Sequence, residues 1–177
     1  MCKLKLILLN SGTFEDYNSE MSARLSDYIY NKLSSELMDR FLTAYLESFK
    51  NKNAKFKMPL AGQKMRADYE IALNFFSSQK SSKRAKSSFE VIDKILAVIE
   101  SDAEFAFVDF FTLYKAYPDI PLDYVEALLS KRDDLDRSKV KEIMENCRRK
   151  VSEETNVTNT TTLFSKISKE TEKESFW

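Results

Sequence analysis

Histidine is absent from this chain of 177 residues, and glycine, proline and cysteine are scarce. Without histidine the chain lacks the commonest general base, the usual partner of a Ser or Cys nucleophile and the commonest metal ligand. The two cysteines, Cys2 and Cys147, form neither a CxxC pair nor a zinc-ligand spacing. We interpret them as thiols of an intracellular chain, although a single disulfide between them is the alternative. No catalytic residue, metal site or cofactor is predicted.

Two glycines and three prolines are too few for a protein built on tight turns. Because all-β proteins use both residues freely in their turns, this scarcity predicts long helices joined by few connections. No segment approaches the roughly 18 apolar residues of a membrane-spanning helix. The apolar run within Met1–Leu9 is short and no small-residue cleavage site follows it, so a signal peptide is not predicted. The chain is predicted to be cytoplasmic.

The net charge is zero, but the charges are unevenly distributed along the chain. The block from Lys50 to Glu90 has ten basic and three acidic residues, whereas the block from Val91 to Asp136 has four basic and eleven acidic residues. An acidic block of this size argues against binding to bulk nucleic acid. The asymmetry fits contacts with charged protein surfaces or with an anionic membrane. Two solvated faces that resist aggregation explain it equally well.

Apolar residues at steps of three and four predict five to six helices and an all-α fold. The first predicted helix runs from Ser19 to Lys50, with Tyr28, Ile29 and Leu33 in its apolar stripe. A second begins near Pro59, and the third carries Phe89, Ile92, Ile95, Leu96 and Ile99. The fourth spans Ala103 to Ala116, the fifth opens at Pro121, and the sixth is capped by Asp136. The aromatic residues of the fourth helix are predicted to be core: Phe105, Phe107, Phe110, Phe111 and Tyr114.

The segment Ser77–Ser88 is polar and aperiodic, and we interpret it as an exposed loop. Six serines in it surround four basic residues: Lys80, Lys83, Arg84 and Lys86. These residues are a candidate contact for an anionic lipid surface or an acidic partner. Serine phosphorylation would cancel their charge. The alternative is a solubilising loop with no binding role.

The domain prediction divides the chain into three parts. Residues 1–13 form an N-terminal extension, residues 14–151 form the helical domain, and residues 152–177 form a polar, largely flexible tail. Ser, Thr, Glu, Asn and Lys dominate the tail, which has too little apolar surface to offset the entropy of ordering. Residues 163–167, with the sequence Leu-Phe-Ser-Lys-Ile, are an exception and a candidate element for docking on the helical domain.

Several short motifs, in the same order, resemble the C-terminal region of the exocyst Sec-six subunit family (exocyst complex component three). They lie between Phe14 and Ile167. They include the run Tyr117-Pro118-Asp119-Ile120, the helix end Val125–Leu129, the turn Arg132-Asp133-Asp134 and the triplet Ile143-Met144-Glu145, and the ordered set is far more specific than any one of them. Phe14–Tyr17, the pattern Arg40–Leu46 and the segment 163–167 also resemble family elements. Family members are several times longer than this chain.

The resemblance implies an elongated antiparallel helical bundle at the end of a tethering-complex rod. It also implies a non-catalytic exocyst subunit or fragment that tethers secretory vesicles to the plasma membrane before SNARE-mediated fusion. The implied partners are other exocyst subunits and a SNAP-25-like SNARE or a Sec-one-type SNARE regulator. The resemblance further implies that the chain is cytoplasmic and lies peripherally at plasma-membrane sites of exocytosis. The alternative function, from another class, is a helical binder of anionic lipid or nucleic acid that uses the Lys80–Lys86 segment.

Two helix junctions are candidate partner-binding segments. One is Tyr117, Pro118, Asp119 and Ile120; the other is Arg132, Asp133 and Asp134. Side chains at such junctions are held rigidly by the neighbouring helices. The alternative is that Asp119 and Asp133 cap helices while Tyr117 and Ile120 pack inward.

Overall fold

The computed structural model describes residues 11–51, 53–78, 82–154 and 163–165, with the side chains of residues 11–15 and 82–83 outside that description. Within these ranges the chain forms seven helices of eight or more residues and no β-strand. The all-α prediction is confirmed. The helices are α1 (Ser11–Arg24), α2 (Asp27–Ser48), α3 (Leu60–Ser77), α4 (Ser82–Glu100), α5 (Ala106–Ala116), α6 (Leu122–Leu129) and α7 (Arg137–Glu153).

Helices α2, α3 and α4 form an up-down-up arrangement. The α3 residue Arg66 pairs with Asp93 and Glu100 of α4, while the aromatic rings of Phe76 and Phe89 lie 5.5 Å apart. Residue numbers therefore increase along α3 in the direction in which they decrease along α4, so these two helices are antiparallel. Gly62 of α3 leaves room for the side chain of Glu100 on α4: a Cβ there would lie 2.7 Å from Cγ of Glu100.

Helix α4 is the central element of the core. Its buried residues occupy more than one face: Ala85, Phe89, Val91, Ile92, Ile95, Leu96, Val98 and Ile99. It packs against α2, α3 and α5. The five apolar residues that the sequence assigns to the third helix are all buried here. A helix that is apolar on several sides is expected to lie inside a bundle, and α4 does.

Helices α5, α6 and α7 complete the bundle on the other side of α4. Helix α5 packs between α4 and α7, and α6 packs on α7. The buried side chains at these contacts include Phe110, Leu113, Val125, Leu129 and Met144. Each of these helices places one apolar face inward, as packing of amphipathic helices requires.

The predicted first helix, Ser19–Lys50, is two helices in the structure. The break falls at Leu25 and Ser26, where Ser26 is extended (φ −60°, ψ 150°) and precedes α2. Tyr30 then donates a hydrogen bond from Oη to Oδ1 of Asn18, at 2.8 Å, and so connects α2 to α1. Ser followed by Asp is a typical helix start, and here it interrupts a stripe that is otherwise periodic.

Two further predictions of local structure are wrong. The predicted loop Ser77–Ser88 is already helical from Ser82, because Ala85 and Phe89 share a buried face and Lys, Arg and Ala favour helix. Phe105 is 58% exposed instead of being core. It precedes the first residue of α5, and the buried face of that helix is formed by Ala106, Phe110, Leu113 and Tyr114.

The predicted Asp136 cap is present at the start of α7. Its Oδ1 accepts a hydrogen bond from the backbone N–H of Lys139 at 2.8 Å. We expect Asp136→Ala to lower the free energy of unfolding by about 1 kcal/mol, the usual cost of losing such a cap. Asp136→Asn keeps an acceptor and is the matched control. Urea denaturation followed by circular dichroism measures both, and equal losses in the two variants would contradict the capping role.

Candidate interaction surfaces

Arg132, at the turn between α6 and α7, is a buried charged residue. Its side chain is surrounded by protein, with 5% of the residue exposed. The guanidinium donates from Nε to Oδ1 of Asp134 at 3.0 Å and from Nη2 to Oδ2 at 2.7 Å. Nη1 donates to the carbonyl oxygen of Ser101 at 2.6 Å. Since Ser101 follows the last residue of α4, Arg132 joins the α6–α7 turn to the end of the central helix.

The same turn holds the segment between α2 and α3. Phe56 donates its N–H to the carbonyl of Lys131 at 2.8 Å and accepts from the N–H of Asp133 at 3.0 Å. Oδ1 of Asp133 also accepts from the N–H of Met58 at 2.9 Å. These three bonds connect residues more than 70 positions apart in the sequence. The structure therefore places Arg132 and Asp133 in contacts that organise the fold.

The Tyr117–Ile120 segment lies at the junction of α5 and α6. Ile120 is buried, while Tyr117, Pro118 and Asp119 are half-buried. Burial, with a smaller contribution from the carboxylate of Glu90, raises the pKa of the Tyr117 phenol to about 12. Oδ2 of Asp119 accepts from the N–H of Ser165 at 3.1 Å and from its hydroxyl at 2.6 Å.

Residues 163–165 form a helical turn that lies against this junction. Phe164 is 1% exposed, and its ring makes edge contacts with Tyr117 and Tyr124 at centroid distances of 6.0 and 5.7 Å. Asp119 thus holds the turn by hydrogen bonds while Phe164 fills an apolar site. Lys166 and Ile167 of the predicted docking element lie outside the described residues.

The four basic residues between Ser77 and Ser88 do not share one environment. Lys80 and the side chain of Lys83 lie outside the described part of the chain. Arg84 reaches back to α2, where its guanidinium donates to Oδ1 and Oδ2 of Asp39, each at 3.2 Å, and to the hydroxyl of Ser35. Lys86 is exposed. Part of the positive charge of this segment is therefore used within the fold.

An apolar patch on α2 is the surface that the sequence analysis missed. Tyr28, Ile29 and Leu33 are 76%, 52% and 41% exposed, whereas the next buried positions on α2 are Tyr30 and Ser34. Steps of three and four include these three residues in the predicted apolar stripe, whereas α2 in the structure buries the side that carries Tyr30 and Ser34. We call them the α2 patch. Glu36 and Arg40, paired at 2.8 Å, follow it along the same side of the helix.

The described residues contain no group of three or more His, Cys, Asp or Glu side chains that could hold a metal ion. In the same ranges, none of the helices has the length and apolar character needed to cross a membrane. Cys147 is a free thiol in the core, and burial raises its pKa to about 12.

Comparison with known proteins agrees with the motifs found in the sequence. A family model described as exocyst complex component Sec6 matches residues 11–137. The chain is also 32% identical over 143 residues to exocyst complex component sec6 of Schizosaccharomyces pombe. That match covers 80% of this chain and 19% of the relative, so the chain spans about a fifth of the relative's length. No solved structure matches the chain.

Proposed function

The chain belongs to the exocyst complex component Sec6 family, and from that premise we propose that it is a non-catalytic exocyst module acting through protein–protein contacts. The family match over residues 11–137 carries the proposal, since it covers α1 to α6 and the α6–α7 turn. In this role the module contributes to holding secretory vesicles at the plasma membrane before SNARE-mediated fusion. It acts in the cytoplasm, at sites of exocytosis.

The proposed partners are other exocyst subunits. Contact with a SNAP-25-like SNARE or a Sec-one-type SNARE regulator is a finer part of the same proposal, as is peripheral contact with anionic membrane. The partner-binding role of Tyr117–Ile120 and Arg132–Asp134 stays a prediction. The alternative function, binding of anionic lipid or nucleic acid through the segment from Lys80 to Lys86, also stays a prediction.

The α2 patch supports a direct contact with another exocyst subunit. Three large apolar side chains within two turns of α2, of which Ile29 and Leu33 are i,i+4 neighbours, expose surface to water that would gain free energy on burial. Ion-paired Glu36 and Arg40 border them, which resembles the arrangement of an apolar interface centre with a polar rim. We propose that a helix of a second exocyst subunit packs its apolar face on Tyr28, Ile29 and Leu33.

A variant with all three residues of the α2 patch changed to serine tests this contact. We expect it to weaken co-precipitation with purified exocyst subunits of the same organism by at least about tenfold, because serine removes the apolar surface that the contact buries. A tenfold loss corresponds to about 1.4 kcal/mol of binding free energy. A matched control changes three exposed apolar residues elsewhere to serine: Leu60, Ile71 and Val108. Circular dichroism must show that both variants keep the helical content of the original chain.

The outcomes separate the surface from the function. If the control retains binding and the patch variant loses it, the result supports both the α2 patch as the contact site and the proposed function. Equal binding by all three proteins would leave the subunit contact standing and exclude the α2 patch as its site. A folded original chain that binds no exocyst subunit would contradict the proposed function itself.

A further inference from the structure

A cleft of about 520 Å³ opens between the segment that follows α2 and helix α6. Its volume is within the range of roughly 300–1,000 Å³ typical of ligand sites in proteins. Lys50, Ala54 and Lys55 line it from one side, and Tyr124, Ala127 and Lys131 are among the residues that line it from the other. The cleft contains no residue of the α2 patch, and at Pro121 it borders the Tyr117–Ile120 junction.

The charge of the cleft lining is predominantly positive. Three lysines line it against a single carboxylate, Asp123, which accepts a hydrogen bond from the N–H of Tyr124 at 2.9 Å. The ammonium group of Lys131 donates to the carbonyl oxygen of Phe49, a neutral acceptor that leaves the charge uncancelled. Burial lowers the pKa of Lys131. A bound anion would offset the loss of solvation that burial imposes on this ammonium group.

The cleft also presents apolar surface next to its charges. Ala54 and Ala127, both half-buried, contribute methyl groups, whereas Tyr124 is 5% exposed and has its hydroxyl bonded to the carbonyl of Leu46 at 2.9 Å. A ligand with both carboxylates and aliphatic groups matches this combination better than a bare anion does. A flat membrane surface would meet the exposed Lys55 but is a poor fit for a concave site whose other two lysines are only partly exposed.

We infer that this cleft binds an acidic peptide segment of a partner protein. Carboxylates of the segment pair with Lys55 and Lys131, and its aliphatic groups pack on Ala54 and Ala127. The inference goes beyond the proposed function, since it names a second site with its own chemistry and does not depend on any exocyst subunit being the partner.

Binding of a fluorescein-labelled hexaglutamate peptide to the full chain, followed by fluorescence anisotropy, tests the inference. We expect saturable binding that Lys55→Glu weakens at least about tenfold, because a reversed charge repels the ligand it formerly attracted. Lys55 is exposed, so this variant should fold normally. Lys141→Glu on α7 makes the same change in net charge at another exposed lysine and should alter the affinity by no more than about twofold.

A second variant and two other probes complete the test. Lys131→Gln keeps a donor for the Phe49 carbonyl and removes the charge, so it should also weaken binding. Backbone amide shifts at Tyr124, Ala127 and Lys131 on peptide addition would place the ligand in the cleft. The inference is overturned if the peptide shows no saturable binding, or if the Lys55 and Lys141 variants lose affinity equally. It is also overturned if inorganic phosphate or phosphatidylserine vesicles bind and the peptide does not. Because the assay contains no exocyst subunit, its failure is distinguishable from failure of the proposed function.

Discussion

Replacing Phe89 with alanine is expected to lower the free energy of unfolding by about 3–5 kcal/mol. Phe89 is fully buried at the centre of the bundle. Its ring lies 5.9 Å from that of Phe41 on α2, and 5.5 Å and 6.3 Å from those of Phe76 and Tyr69 on α3. Truncation therefore leaves a cavity where three helices meet. Urea denaturation monitored by circular dichroism measures the loss.

Phe105→Ala is the matched control, since it removes the same atoms from an exposed position. We expect it to change stability by no more than about 0.5 kcal/mol. The native thiol of Cys147 gives an independent readout, because it is buried and should react with alkylating reagents faster only where the bundle opens. Similar losses in the Phe89 and Phe105 variants would contradict the placement of α4 at the centre.

Arg132→Ala is expected to cost about 3 kcal/mol, an unusually large effect for a charged residue. The substitution removes the paired hydrogen bonds to Asp134 and leaves the carbonyl of Ser101 without its donor. The cost should fall near the lower end of the range for broken buried pairs, because the Asp134 side chain is 44% exposed and regains water. Chemical denaturation measures it against Arg137→Ala, an exposed arginine expected to be nearly neutral.

The pH dependence of this effect has a definite sign. The hydrogen bond from Arg132 holds the pKa of Asp134 below its usual range. A carboxyl whose pKa is lower in the folded state stabilises the fold at pH values above its pKa in the unfolded state, about 3.9. That stabilisation is lost as the pH falls through the pKa of the folded state. The stability difference between the original chain and Arg132→Ala should therefore narrow below about pH 4. A difference that stays constant down to pH 2 would exclude the ion pair as the cause.

Much of the fold could be predicted from the sequence because its strongest signals are local and periodic. Phe89, Ile92, Leu96 and Ile99 recur at helical spacing, and they form the central helix. The same rule fails for Tyr28, Ile29 and Leu33, since steps of three and four can be drawn through more than one set of apolar residues on a helix, and α2 buries a different side. It also fails for Ser82–Ser88, where a polar composition hides good helix formers next to a buried Ala85.

The candidate sites were harder to predict because their contacts are distant in the sequence. Nothing near Arg132 indicates that its guanidinium bonds to Ser101, 31 residues earlier, or that Phe56 bonds to the backbone of the same turn. The motifs at Tyr117 and Arg132 do support membership of the family, and family membership is confirmed. Their physical contacts in the structure are with other parts of the chain. The α2 patch and the lysine-lined cleft require coordinates to be seen at all.

Affinity purification of the tagged chain from cells of its own organism, followed by quantitative mass spectrometry, tests the central proposal most directly. The chain is expected to enrich exocyst subunits over a tag-only control, and the α2 patch variant is expected to lose that enrichment while the Leu60, Ile71 and Val108 variant keeps it. A folded, helical chain that enriches no exocyst subunit would contradict its proposed role as an exocyst module.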